Sequence, residues 1–298
     1  MLDNSKVKIL VCCHKPCELP QDKRFLPIHV GAAISKAELG IQRDDQFNGN
    51  PCDNISDKNR SFCELTGIYW AWKNLKDVSI IGLCHYRRYF DFHKQVPFGR
   101  EQKQFKSAEF KKMNLDIPDK IFEKVENGSI IVPSPIHYDE NIAINYCTHH
   151  ISDDFATLRK FFFETQPPYM QKAFYQVFFR ENYLIPCNMC IMRKADFDEY
   201  CSWLFDIIFA LEKKIDITHY TPVQQRIYGY IAERLFNVWL YTKRSKVIQK
   251  PLLFISDDPP VHPQRPLLNQ FIRNFKIDLG LKLVRRRLPK ELRHLRLK

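Results

Sequence analysis

Short apolar runs alternate with longer stretches of helical period along this chain, and that alternation constrains its fold more than any other feature. Val7 to Cys13, Ser79 to Cys84, Ser129 to Val132 and Met189 to Met192 have the length and character of buried strands. Helical spacing fills the intervals. Phe62, Leu65, Tyr69 and Trp72 recur at i, i+3, i+7 and i+10, predicting a helix over residues 56–74 with Ser56 as its cap. Ser152-Asp153-Asp154 opens another, with carboxylates at its positive end. Phe197, Tyr200, Leu204, Ile208 and Leu211 mark a third, and Ile227, Ile231, Leu235 and Val238 a fourth. Strands alternating with helices predict an α/β domain with a mainly parallel sheet flanked by helices.

Charge divides the chain in two. Of the net +12, residues 269–298 carry ten Lys/Arg against Asp278 and Glu291, which is +8, leaving +4 for the other 268 residues. The reading is therefore a globular domain over 1–268 and a basic amphipathic helical tail over 269–298. Phe271, Phe275, Leu281, Val284, Leu288, Leu292 and Leu295 form its apolar stripe. Such a segment can lie on an anionic membrane surface, or pack on the domain as a solvated helix. No aromatic-basic module accompanies it, so nucleic acid is not an expected partner. No apolar run reaches the ~18 residues of a spanning helix and no cleavage site follows the first strand, so the expected location is cytoplasmic, peripheral to the inner membrane. The ten cysteines sit mostly in apolar stretches, as reduced thiols do. Cys187-Asn188-Met189-Cys190 has metal-knuckle spacing without a second pair, which strand alternation explains equally well.

In such sheets ligands collect at the carboxyl ends of the strands. His14-Lys15-Pro16 follows the first strand and His85-Tyr86-Arg87-Arg88-Tyr89-Phe90 the second, on the same expected edge. Adjacent arginines there can hold a diphosphate through forked, charge-assisted hydrogen bonds, or pair with structural carboxylates. Tyr86 or Tyr89 can stack on a base or sugar. The polar loop with Asn54, Ser56 and Asn59 precedes a helix, where backbone N–H groups meet phosphates or hydroxyls. No Walker loop, Rossmann fingerprint or Gly-x-Ser-x-Gly elbow occurs.

Taken together, Asp53-Asn54-Ile55-Ser56, Cys63-Glu64-Leu65-Thr66, Tyr69-Trp70-Ala71-Trp72-Lys73-Asn74 and Gly82-Leu83-Cys84-His85-Tyr86-Arg87-Arg88-Tyr89-Phe90 closely resemble a bacterial family. That family was first catalogued as a domain of unknown function and is found in capsule and O-antigen biosynthesis proteins. The likeness continues through Asn188-Met189-Cys190-Ile191-Met192, residues 197–205 and residues 229–235. It implies a GT-A-like glycosyltransferase, with galactosyl or galactofuranosyl transfer from a nucleotide sugar such as a UDP-sugar onto a lipid-linked oligosaccharide. On that reading the donor-binding candidates are His14, Lys15, Asn54, Ser56, Asn59, His85, Tyr86, Arg87, Arg88 and Asn188.

GT-A enzymes usually carry an Asp-x-Asp that holds a divalent metal on the donor diphosphate. Here His85-Tyr86-Arg87-Arg88 stands in its place, and Asp91-Phe92-His93 is the nearest substitute for binding Mn²⁺ or Mg²⁺. Asp196-Phe197-Asp198 fits the pattern but lies at a helix start. Arginine charge neutralisation or a metal would serve the same end. Candidate bases for the acceptor hydroxyl are Glu64, Asp91 and Glu233, the last with Arg234 beside it as an ion-pair partner. The alternative reading is a non-catalytic protein that binds nucleotide sugar or glycan on the same fold.

Overall fold

The computed structural model describes residues 3–243 and 245–259. Strand β1 (Val7–Cys13) is apolar except at Lys8, a composition suited to burial on both faces. It pairs in parallel with β2 (Phe25–His29), which in turn carries β3 (Gln42–Arg43). On its other side β1 pairs in parallel with β4 (Ile80–His85), Cys12 opposite His85. Strand β5 (Arg88–Phe90) folds straight back against β4. With β6 (Gln102–Phe105), β7 (Ile130–Pro133), β8 (Cys190–Arg193), β9 (Val247–Lys250) and β10 (Leu252–Ile255) the sheet has ten strands among the described residues, its main path running β9-β7-β8-β4-β1-β2-β3. Strand β8 runs antiparallel to β4 and β7, while β10 bridges β5 and β6.

That topology sends several chain segments to one edge. Strands β1 and β4 end there, β8 begins there, and the hairpin joining β4 to β5 turns there. The expectation that the segments after Cys13 and Cys84 share an edge is met because the two strands are parallel neighbours.

Alternation along each strand feeds two cores. From β1, Leu10 and Cys12 enter a cluster with α2 (Leu65–Asn74), α7 (Lys194–Glu212) and α8 (Ile227–Thr242), whereas Ile9, Val11 and Cys13 face Phe122 and Leu253 on the other side. Strand β4 divides likewise, Ile81 and Leu83 against Ile80 and Cys84. Each fully buried side chain of this size stabilises by about 1.5–3 kcal/mol. At the centre of β4 the packing excludes any side chain. A Cβ on Gly82 would lie 2.7 Å from Ile9 Cδ1 and 3.0 Å from the Cys190 carbonyl oxygen.

Two boundaries differ from the sequence expectation in ways that shape the site. The predicted helix over residues 56–74 is broken into a 3₁₀ turn (Ser56–Lys58), α1 (Asn59–Phe62) and α2. Cys63 interrupts it with φ 53° and ψ −131°, a backbone conformation that ordinary side chains disfavour. Ser56 does not cap α1; its hydroxyl accepts the Ala33 N–H at 3.0 Å and donates to the buried Asp44 carboxylate. The predicted strand at Met189 begins one residue late, at Cys190. Cys187 and Asn188 just before it have φ of 70° and 51°, so the knuckle-like sequence is a left-handed turn and not strand alternation.

The remaining helices include α3 (Asp119–Glu126), α4 (Ile142–His149), α5 (Ser152–Thr165) and α6 (Pro168–Phe179). Asp196 sits in the first turn of α7 and pairs with Arg193, and Asp198, one turn on, pairs with Lys194. All ten cysteines are free thiols. Among the described residues no helix is long and apolar enough to cross a membrane. The basic segment 269–298 lies outside the described residues.

Candidate active site

A cleft of about 820 Å³ opens at the sheet edge where β1 and β4 end. One side is built from strand ends and their turns: His14 after β1, then His85, Tyr86, Arg87 and Arg88. The other comes from the broken helix and the start of α8. It contributes Asn59, Arg60, Cys63, Glu64, Arg226, Tyr230 and Glu233.

Four guanidinium groups therefore meet in one cleft. Among the described residues none of the four forms an ion pair. Arg87 lies 5.2 Å from the Tyr86 ring centre and Arg88 5.0 Å from that of Phe254, so aromatic faces support them in place of carboxylates. The Arg87 Nε is buried without a hydrogen-bond partner. Desolvation, then the positive charges of Lys15, Arg87 and Arg226, push the His14 imidazole below its usual range. That depression beside cations without ion-pair partners reflects a positive site.

Three cleft side chains converge on the left-handed turn ahead of β8. His85 Nε2 donates to the Cys187 carbonyl at 2.8 Å, and burial keeps this imidazole below its ordinary range. Glu233 Oε1 accepts the Cys187 N–H at 2.5 Å while Oε2 lies 3.3 Å from Arg234. Burial pushes the Glu233 carboxyl up, against the opposing pull of Arg234 and the Cys187 N–H. Asn188 Nδ2 donates to Glu64 Oε1 at 2.8 Å and lies 3.4 Å from the Gly229 carbonyl. Both neighbours are acceptors, which fixes the orientation of this amide. Both Glu233 oxygens are thus engaged by protein, whereas Glu64 keeps Oε2 without a hydrogen-bond partner among the described residues.

Of the residues expected from sequence, His14, Asn59, Glu64, His85, Tyr86, Arg87, Arg88 and Glu233 line the cleft. Lys15 stands just outside, its Nζ 5.7 Å from the Tyr86 ring centre. Asn188 lies behind Glu64 and acts through it. Asn54 and Ser56 are drawn away by local bonds. Asn54 Oδ1 accepts the Ser56 N–H at 3.0 Å, and Ser56 is fully buried against Asp44.

Asp91 and His93 do not fit a metal or base role. The two Asp91 oxygens accept the N–H groups of His93 at 2.9 Å and Val96 at 2.6 Å, and His93 Nε2 donates to the Asp116 carbonyl at 2.8 Å. Asp91 is buried and serves to shape the loop after β5. Among the described residues no three His, Cys, Asp or Glu side chains gather as a metal site. Sequence reasoning missed Arg60, Cys63, Arg226 and Tyr230. Cys63 reads as a small buried hydrophobe in an apolar stretch, and nothing in the helical spacing marks Arg60, Arg226 or Tyr230 as site residues.

The profile of DUF4422, a domain of unknown function, matches residues 8–244, four-fifths of the chain. The chain belongs to the DUF4422 family. The expected membership of a family catalogued as a domain of unknown function is thereby borne out. DUF4422 residues supply both sides of the cleft. A solved structure, the WbbM bifunctional glycosyltransferase in its apo form, is similar at 28% identity with a TM-score of 0.74. The match covers 88% of this chain and 47% of that one, so the DUF4422 chain spans about half the length of the bifunctional protein. The likeness agrees with the expected α/β fold. No curated protein matches the chain.

Proposed function

We propose that this DUF4422 chain is a glycosyltransferase. On this reading it moves a hexose, galactose or galactofuranose, from a UDP-sugar to a lipid-linked oligosaccharide during surface-polysaccharide synthesis. One observation carries the reading: Arg87 and Arg88 line the cleft at the carboxyl end of β4 without a carboxylate partner among the described residues. Cations left unpaired in a cleft are matched by an anionic ligand, and paired guanidinium groups suit a diphosphate. The similarity to a bifunctional glycosyltransferase supports the same class.

The residues divide the work. Arg87 and Arg88 would offset the negative charge that grows on the departing nucleotide diphosphate as its bond to the anomeric carbon breaks. Glu64, through its free Oε2, is the carboxylate best placed to take the proton of the attacking acceptor hydroxyl. Glu233 and His85 would hold the turn that positions Asn188 behind it. No step is assigned to a metal, because Asp91 and His93 are committed to backbone groups. The tail, residues 269–298, would hold the enzyme on the anionic inner-membrane surface through its arginines and apolar stripe.

The test is UDP release from a panel of UDP-sugars, with and without acceptor, Mn²⁺ or EDTA. Removing two charge-assisted bonds of about 1.5–3 kcal/mol each should lower kcat/KM by roughly 100-fold or more in Arg87→Ala/Arg88→Ala. Unchanged turnover in the folded double variant would discard the diphosphate role. UDP-sugar binding without turnover under any condition would favour a non-catalytic binding protein.

A further inference from the structure

Arg87 and Arg88 account for only half of the cationic groups in the cleft. The other two, Arg60 on α1 and Arg226 at the start of α8, stand on elements that pack against each other. Arg226 is held by a dedicated arrangement. Its Nε donates to Cys63 Sγ at 3.3 Å, and its guanidinium lies 5.6 Å from the Tyr230 ring centre. The thiol reaches this position because Cys63 adopts its left-handed conformation and because residue 229 has no side chain. A Cβ there would lie 3.1 Å from Cys63 Sγ and 3.2 Å from Cys63 Cβ. Backbone strain that persists at a cleft wall is a sign of a positioned functional group.

Charge balance points the same way. Arg234 already pairs with Glu233, so among the described residues lining the cleft Glu64 is the one remaining carboxylate to oppose the four arginines. A diphosphate seated on Arg87 and Arg88 leaves Arg60 and Arg226 in excess. We propose that Arg226 and Arg60 form a second anion subsite, which takes a phosphate ester of the acceptor while the donor diphosphate occupies Arg87 and Arg88. The inference rests on the sugar-transfer reading and extends it to the acceptor. A phosphate held in the same 820 Å³ cleft as the reacting sugar belongs to a short acceptor. The enzyme would then act early, on a sugar still close to its lipid-linked phosphate, after a reaction that forms a sugar phosphate on a lipid carrier.

The experiment is calorimetric titration of the full chain with UDP, and of the UDP-saturated chain with inorganic pyrophosphate. Wild-type protein should still bind one pyrophosphate when saturated with UDP. Arg60→Gln/Arg226→Gln should lose that binding at least tenfold while its UDP affinity moves less than threefold. Arg87→Gln/Arg88→Gln should do the reverse, losing UDP tenfold and keeping pyrophosphate. No pyrophosphate binding by the UDP-saturated wild type overturns the proposal, as does an equal loss of UDP affinity in both double variants, which would reveal one four-arginine clamp. Failure of the sugar-transfer reading shows separately, as absence of UDP release from every donor, whatever the pyrophosphate titration gives.

Discussion

Replacing Gly229 by alanine tests whether close packing of α8 on the broken helix is what fixes Arg226. The added methyl group would sit 3.1 Å from Cys63 Sγ and 3.2 Å from its Cβ, so the thiol must yield by a few tenths of an ångström. Overpacking of this kind costs about 1–3 kcal/mol. Gly229 lies inside α8, where alanine is favoured over glycine by about 1 kcal/mol. The two effects oppose, and the net destabilisation should fall between about 0 and 2 kcal/mol, a few degrees in melting temperature at most. Function should suffer more than stability. Shifting the thiol by that amount lengthens and weakens the 3.3 Å bond from Arg226 Nε, so the guanidinium is held less firmly. The assay pairs thermal melting with pyrophosphate titration of the UDP-saturated variant. Pyrophosphate binding should weaken three- to tenfold with UDP affinity unchanged. A Gly229→Ala variant that melts like the parent and binds pyrophosphate equally well would refute the reasoning, because the contact would then position nothing.

Two further outcomes follow from the site geometry. Glu64→Gln keeps the shape and can still accept from Asn188, so stability should change by less than about 1 kcal/mol while kcat falls about 10²- to 10⁴-fold; an active variant removes Glu64 as the base. His150 lies between Tyr146 and Tyr230, and burial first, then the charges of Arg234 and His149, lower its imidazole to about 4. Its folded value is depressed below the unfolded one, near 6.5, so the unfolded chain binds the extra proton and stability is lost as pH falls from about 6.5 towards 4. In His150→Phe that loss should shrink by up to about 2 kcal/mol after allowing for solvent screening, read from urea midpoints at pH 7 and pH 4.5; parallel pH dependence in both proteins would rule it out.

Periodicity made the frame legible. The runs from Val7, Ser79 and Met189 became the central strands within one residue, and the helices at 197–211 and 227–238 became α7 and α8, because apolar spacing is what buries them. The shared edge of His14 and Arg87 followed from parallel pairing alone. What periodicity could not show was where a helix breaks. The run through Phe62 and Leu65 keeps its apolar spacing across Cys63, so the left-handed kink there arises from tertiary packing on α8. The kink is also what turns Arg60, Cys63 and Glu64 to the cleft. Asp91 and His93 misled for a related reason. Their spacing suits a metal, but a carboxylate two residues before an N–H suits an Asx-type turn equally, and the loop uses it so.

The unusual backbone of this protein is not scattered. Among the described residues five non-glycine positions have positive φ; two of them, Cys63 and Cys187, line the cleft, and a third, Asn188, lies directly behind it. Each carries a bond to a charged or titratable cleft residue. Cys63 accepts from Arg226, Cys187 joins Glu233 and His85, and Asn188 holds Glu64. Such conformations cost of order 1–3 kcal/mol apiece and persist only where surrounding structure over-determines them. A simple diphosphate clamp would need no such outlay, since arginines on flexible stems adapt to a phosphate unaided. Fixing Arg226, Glu64 and Glu233 to rigid turns instead sets the distance between anion and proton acceptor, and reaction geometry depends on that distance far more steeply than binding does. On the proposed sugar-transfer reading the strained turns fix that distance, whereas ligand storage alone would give no reason for them.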